Sequence, residues 1–283
     1  MIIEVKEDLI DKVMTFVWEF ASHQETCSFP KFKDFEDLKK VFLRLLKSED
    51  DRVLACIENE VLVGVLNLQV KKEDLYLQSL GGIFAKQDFD DVAKQFIQYL
   101  KVRYPNFNMY FRYPLENQTA IMFLEKMGAE LLDACVTMEL RQEDFKMSSS
   151  KHGVIRLPSD YYEDYAAFHD AHYPNIYWNS QRIFDHLDLW NIYVVIENQK
   201  IIGNIFIRMN GSEAEIFGLS IDESYQRDNL ELDLLSTSMK DCFLKDIEHV
   251  LFFVNEDDQR QIDATLEIGF KQIDTYRCYR IKL

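Results

Sequence analysis

The sequence predicts an α/β protein of two tandem domains, each a mixed, mostly antiparallel sheet with flanking helices. Three observations carry this. The run Ile57-Glu58-Asn59-Glu60-Val61-Leu62-Val63-Gly64 returns as Ile196-Glu197-Asn198-Gln199-Lys200-Ile201-Ile202-Gly203, with the two glycines 139 positions apart. The spacing persists downstream: Ile221 follows Ile83 by 138 positions, and Gly269 follows Gly128 by 141. Finally, 283 residues suit two domains at about 100–200 residues each.

Each copy of the repeated run joins two apolar stretches through a polar Glu-Asn turn and carries a Gly in the second, which is the pattern of a β-hairpin. Around it, the first copy reads as a strand at 2–5, helices near 8–20 and 35–46, the hairpin, and a strand near 75–83. A helix at 90–103, a strand at 108–113, a helix at 117–127 and a last strand at 134–140 follow. Residues 141–151 are charged and then Ser-rich, as an exposed linker is, and set the domains at 1–146 and 152–283. The second copy repeats the order: strand 154–157, helices near 161–172 and 180–187, hairpin 192–209, strand 215–221, helix 229–244, strand 250–254, helix 258–268 and strand 275–281. Strands followed by helices that return to one sheet put a parallel pair near its middle.

Apolar residues at 47% and aromatics at 13% fill two cores, and 9 Gly with 5 Pro leave little for disordered tracts. No stretch has the roughly 18 consecutive apolar residues of a membrane span, and the N-terminus lacks a signal-peptide pattern, so the expected location is the cytoplasm. Cys27, Cys56, Cys135, Cys242 and Cys278 are odd in number and never paired as C-x-x-C, against a disulfide framework or zinc cage. With 49 acids against 32 bases the formal charge is −17, which repels nucleic acid and anionic lipid and favours a cationic acceptor or a protein partner. Dinucleotide, P-loop, nucleophile-elbow and zinc-protease motifs do not occur.

Two segments carry a family resemblance. Residues 219–235, Leu-Ser-Ile-Asp-Glu-Ser-Tyr-Gln-Arg-Asp-Asn-Leu-Glu-Leu-Asp-Leu-Leu, run without a gap along a strand, a loop and a helix start. Residues 117–128, Asn-Gln-Thr-Ala-Ile-Met-Phe-Leu-Glu-Lys-Met-Gly, space Asn, Ala, an aromatic and Gly along a late helix. With the element order, these resemble the GNAT superfamily of acyl-CoA-dependent acyltransferases, in tandem form. The resemblance implies an N-acetyltransferase using acetyl-CoA on an amine of a small molecule or peptide, with one half catalytic and the other structural.

In that family, backbone amides of a Gly-rich loop at a helix N-terminus grip the CoA diphosphate, where the helix dipole favours an anion. The resemblance places this grip at Leu219, Ser220, Ile221, Gln226, Arg227, Asp228, Asn229, Leu230 and Glu231. Both Gly positions are filled, by Asn229 and Glu231. Asn tolerates the left-handed backbone a Gly would supply. Glu231 either opposes the diphosphate or points away from it. The first copy has Asp88-Phe89-Asp90-Asp91 instead, whose acids satisfy the helix end internally, so the second copy is the expected acyl-CoA site.

Acyl transfer to an amine needs a base for the amine proton and a donor for the departing thiolate. The resemblance implies a Tyr donor four residues before the helix-end Gly, yet those positions hold Leu124 and Thr265. Tyr276, and next Tyr279, on the last strand are the substitutes considered. Glu215 is the expected base, with Leu77 as its counterpart in the first copy and Glu213 as the second choice. The acceptor side is expected at His169, His172, Tyr173, Tyr177 and Trp178; the two His lack a third ligand at clear spacing, so no metal is expected. The missing Tyr, the filled glycines and the charge equally describe a silent tandem GNAT that serves as a binding or scaffold module.

Overall fold

The structure, a computed structural model, describes residues 1–149, 151–174, 176–225 and 229–283. In chain order the first copy gives β1 (Ile2–Glu4), α1 (Ile10–Ala21), α2 (Phe35–Lys47), β2 (Arg52–Glu58), β3 (Val61–Lys71), β4 (Tyr76–Ala85), α3 (Phe89–Arg103), β5 (Asn108–Tyr113), α4 (Gln118–Lys126) and β6 (Glu130–Arg141). The second gives β7 (Val154–Arg156), α5 (Tyr162–His172), α6 (Ser180–Phe184), β8 (Trp190–Glu197), β9 (Lys200–Asn210), β10 (Glu213–Ile221), α7 (Leu230–Phe243), β11 (His249–Asn255), α8 (Gln259–Glu267) and β12 (Lys271–Lys282). Among the described residues no helix is long and apolar enough to cross a membrane.

The repeated turns form as their residues require. Asn59 and Glu60 have φ of 48° and 66°, Asn198 and Gln199 of 48° and 63°. Two successive positive φ values make the turn that matches the twist of a two-residue hairpin. The repeated glycine has a packing cause. A Cβ on Gly64 would collide with Val92 of α3, and one on Gly203 would lie 2.9 Å from Ile221 and 3.3 Å from Leu234 of α7.

Two compact units result, but they divide the chain differently from the contiguous ranges 1–146 and 152–283. One comprises Met1–Ala134 with Thr275–Leu283; the other is Cys135–Asp274. The first has strand order β1-β2-β3-β4-β5-β12, the second β6-β11-β10-β9-β8-β7. Thus Cys135–Arg141 of β6 pair antiparallel with Asn255–His249 of β11, and Arg277–Lys282 of β12 pair antiparallel with Tyr113–Asn108 of β5. Each copy's last strand completes the other copy's sheet. The segment between the copies is fastened rather than loose: Ser148 N donates to Ser236 Oγ (3.0 Å), and the amides of Lys151 and His152 donate to the buried Asp233 carboxylate (3.1 and 2.9 Å).

In the first unit, α3 and α4 pack one face of the sheet around Phe96, Phe111 and Phe123, with Tyr279 and Ile281 of β12 in the same cluster; α1 and α2 pack the other around Val17, Leu38 and Phe42. In the second, α7 and α8 cover Ile205, Ile216, Val250 and Phe252, joined by Met138 and Leu140 of β6, while α5 and α6 cover Trp190, Val194 and Phe206.

The copies differ in length inside one strand. Lys71 pairs with Tyr76 and Gly64 with Ala85 in the first, whereas Asn210 pairs with Glu213 and Gly203 with Ile221 in the second. The first therefore has one more residue between matching positions, taken up where the register shifts between Leu66 and Leu68 beside Gly81 and Gly82, at φ of 89° and 82°. Ile221 thus corresponds to Ala85 rather than Ile83, and Glu215 to Gln78 rather than Leu77.

Candidate functional site

In the second unit β10 runs parallel to β11 only from Glu213 to Ile216, and its register against β9 shifts between Ile216 and Gly218. Beyond that bulge a cavity of about 530 Å³ opens beside β10. Its lining comes from Leu219, Ser220 and Ile221 of β10, Glu231 of α7, His172 of α5, and residues 255 and 257–261 at and before the start of α8. The sequence-predicted binding residues Leu219, Ser220, Ile221 and Glu231 therefore meet at one opening. Gln226, Arg227 and Asp228 lie outside the described residues.

Asn229 precedes α7 with φ 56° and ψ 35°, the left-handed conformation expected of a glycine substitute, and its side chain makes no cap hydrogen bond. Asn229 itself thus supplies no side-chain cap to the first amides of α7, and helix ends of this kind are where an anion is attracted. Glu231 does not reach across those amides. Its carboxylate accepts from Arg260 Nη2 at 2.6 Å and is 8% exposed, against 43% for Arg260. Asp258 is occupied as the cap of α8, accepting from Gln261 N at 3.0 Å. Among the described residues this set fits a diphosphate: a helix end that Asn229 does not cap, the Arg260 guanidinium in the cavity lining, and Glu231 already paired with it.

The first copy differs at the matching place. Asp88 again takes the left-handed position, φ 49°, but Asp90 meets Lys126 at 3.5 Å, and Phe89 and Phe123 pack edge to face at 5.8 Å. The buried Tyr113 hydroxyl accepts from Ile83 N at 3.0 Å. By the register given above, Ile83 is the counterpart of Leu219.

The acceptor-side residues separate. His169 is a core residue and not a cleft residue: it is 0% exposed, Nδ1 lies 3.2 Å from Tyr165 Oη, and Nε2 donates to the Trp178 carbonyl at 3.0 Å. Burial, only partly offset by that carbonyl, lowers its pKa and keeps the ring neutral. His172 does line the cavity; it stacks on Phe168 at 4.1 Å and donates from Nδ1 to the Phe168 carbonyl. Tyr177 and Trp178 already carry the protein's own cations, Arg182 at 4.2 Å and Arg208 at 5.1 Å from the ring centres, so they are not an empty cage for a cationic acceptor.

Tyr173 reaches inward from the end of α5. Its hydroxyl lies against the β10 backbone, where a Cβ on Gly218 would collide with it, and is hydrogen-bonded to Ser220 and to the Leu219 backbone. Desolvation raises its pKa well above the ordinary phenol value, more than these contacts lower it. Nothing in the sequence separated this tyrosine from its aromatic neighbours.

Glu215 alternates with Ala214 and Ile216, which face α7, so it lies on the α5 and α6 side of β10, opposite Arg208 in register, and outside the cavity lining. Glu213 shares that side, 3.8 Å from His249 Nε2. Tyr276 and Tyr279 belong to the first unit, because β12 pairs with β5. Tyr276 packs on Phe29 at 5.2 Å, and Tyr279, pushed up to about 12 by burial and then by Glu125, donates to that carboxylate. Neither enters the second unit's cavity. Thr265 is buried and turns its hydroxyl back to the Ile262 carbonyl at 2.7 Å. Among the described residues no three His, Cys, Asp or Glu side chains gather as a metal site.

No known family profile and no curated protein matches the sequence. Solved structures do match over the whole chain. A GCN5-related N-acetyltransferase from Sphaerobacter thermophilus aligns at TM-score 0.64 and 10% identity, covering 100% of this chain and 95% of that one. A tandem GNAT protein from the clavulanic acid biosynthesis pathway aligns at 0.59 and 10%, covering 100% and 98%. A GNAT-family acetyltransferase from Colwellia psychrerythraea aligns at 0.54 and 10%, covering 100% of both. At this identity the likeness is one of fold: the chain has the fold of the GNAT superfamily.

Proposed function

We propose that the second unit is an acyl-CoA-dependent N-acyltransferase, with acetyl-CoA as acyl donor and an amine of a small molecule or peptide as acceptor. The observation that carries this is the open cavity of about 530 Å³ beside β10, lined from the first turn of α7 by Glu231, which is tied to Arg260, beside a helix start that Asn229 does not cap. In this reading the first amides of α7 and the Arg260 guanidinium hold the diphosphate. Leu219, Ser220 and Ile221 run beside the acyl arm, and holding thioester and amine together supplies much of the acceleration. His172 faces the acceptor. Glu215, on the α5 side of the same strand, takes the amine proton through water rather than directly, since it stands outside the lining. The first unit, which differs at Phe89, Phe123 and Tyr113, is structural. The chain works in the cytoplasm and without nucleic acid.

A rival reading has one specific observation behind it. The strand-four amides Ile83 and Leu219, one in each copy, are both met by a tyrosine hydroxyl, as they would be in a binding or scaffold module that has given up acyl transfer. Calorimetric titration with CoA decides between them. Binding with heat, together with a rise in melting temperature that grows with CoA concentration, supports the acyltransferase. A flat titration at millimolar CoA removes it.

A further inference from the structure

The acyltransferase reading leaves the class of acceptor open beyond its amine, and one cation on the acceptor side narrows it. Arg208 of β9 and Glu215 of β10 are direct cross-strand partners on the α5 and α6 side of the sheet. Arg208 is partly buried, with its guanidinium over the Trp178 ring at 5.1 Å, and among the described residues it makes no ion pair and no hydrogen bond. In a chain with 49 acids this is unusual, because a charge withdrawn from water is normally paired. The Trp178 ring attracts the charge but offers no oxygen to the five N–H donors, whose planar fork matches a carboxylate.

We propose that the acceptor is a free α-amino acid, with its carboxylate held by Arg208 and its amino group presented beside Glu215. The inference rests on the acyltransferase reading and names the substrate class of that site. An α-amino acid bears its amine and its carboxylate on one carbon. Cross-strand side chains start about 4.5–5.5 Å apart, so a guanidinium and a carboxylate that are neighbours across two strands match the two ends of such a zwitterion.

The level along the sheet fits as well. Arg208 stands two residues along β9 from Phe206, which pairs with Gly218 just past the bulge of β10, and two residues of strand span about 6.6 Å. An acid held there keeps its amine close to the acyl arm beside Leu219. Trp190, the partner of Arg208 on β8, packs on Phe217 at 5.0 Å and gives the same face an apolar wall. Charge agrees too. A zwitterion is neutral overall and is not repelled by a chain of formal charge −17, whereas Arg182 and Arg208, seated on Tyr177 and Trp178, disfavour a purely cationic amine.

Full-length wild type is assayed for thiol release from acetyl-CoA with the protein amino acids, their carboxamides and the matching decarboxylated amines, and CoA binding is titrated by calorimetry. At least one free acid should be turned over, with kcat/KM about tenfold to a hundredfold above its carboxamide and its decarboxylated amine, as loss of a charge-assisted contact predicts. Arg208→Gln should raise KM for that acid by a similar factor and bring acid and carboxamide level. Arg208→Lys keeps the charge without the fork and should recover part of the preference. CoA affinity as in wild type shows that each variant is folded, and if Arg208→Gln loses it, Arg208→Lys decides alone. A wild type that uses carboxamides or plain amines as well as free acids, that binds CoA but turns over no amino acid, or whose preference is the same in both variants, overturns the amino-acid assignment and leaves the acyltransferase standing. A wild type that binds no CoA removes the acyltransferase reading itself, and the assignment with it.

Discussion

Met138→Ala tests the exchange of last strands where it is least intuitive. Met138 lies in the first copy by sequence but is 0% exposed in the core formed by α7, β10 and β11. The change deletes three side-chain heavy atoms, each worth about 0.8 kcal/mol of transfer. The cavity left behind brings the total to about 3 kcal/mol, within the usual range for Met→Ala. For a unit of this size that is roughly a 10 °C fall in its melting temperature. Native-state hydrogen exchange read by mass spectrometry locates the loss. Peptides from α7, β10 and β11 should lose protection, while those from α3, β4 and β5 keep it. Tyr279→Ala, close to the C-terminus, should do the reverse and loosen the first unit, where Tyr279 packs with Phe111 and Phe123. Loss of protection in α3, β4 and β5 after Met138→Ala would refute the exchange.

Three further outcomes are expected. Arg260→Gln should weaken CoA binding about tenfold to a hundredfold, as loss of a charge-assisted contact does, whereas Glu231→Gln should strengthen it several-fold by releasing Arg260; titrations at two salt concentrations check both, and equal affinities would remove Arg260 from the diphosphate site. Gly64→Ala should cost more stability than Gly203→Ala, within about 1–3 kcal/mol for overpacking, because the first new Cβ meets a branched Val92 while the second meets the free ends of Ile221 and Leu234; denaturant midpoints rank them. His169 has a folded pKa depressed below its ordinary 6.5, so the unfolded chain binds the proton first and stability falls as pH drops below about 6.5. Urea unfolding at pH 7.5 and 5.5 should show a larger drop for wild type than for His169→Gln, and equal drops would mean the ring is not held neutral.

The hairpins, the helix-ending glycines and the left-handed Asn229 were legible because each is fixed by local backbone chemistry. The partners of β6 and β12 were not. Their alternation of apolar and polar residues suits any open sheet edge, so the sequence assigns Tyr276 to the second copy's site while pairing assigns it to the first unit. His169 reads as a cleft residue from its neighbours, yet two hydrogen bonds and an edge contact with Phe206 at 4.7 Å make it core. One extra residue in β4 moved the counterpart of Glu215 from Leu77 to Gln78, a change that no fixed repeat spacing can detect. Residue chemistry located the cavity's strand and helix, but the Arg260 side chain that lines it from α8 depends on how the chain comes together.

The reciprocal ownership of β6 and β12 also bears on inheritance. A truncation that discarded the second copy would take the closing strand of the first with it, and loss of the first would strip Met138 and Leu140 from the second. Each half is therefore held to the strand it lends its twin, a constraint that applies whatever either half binds.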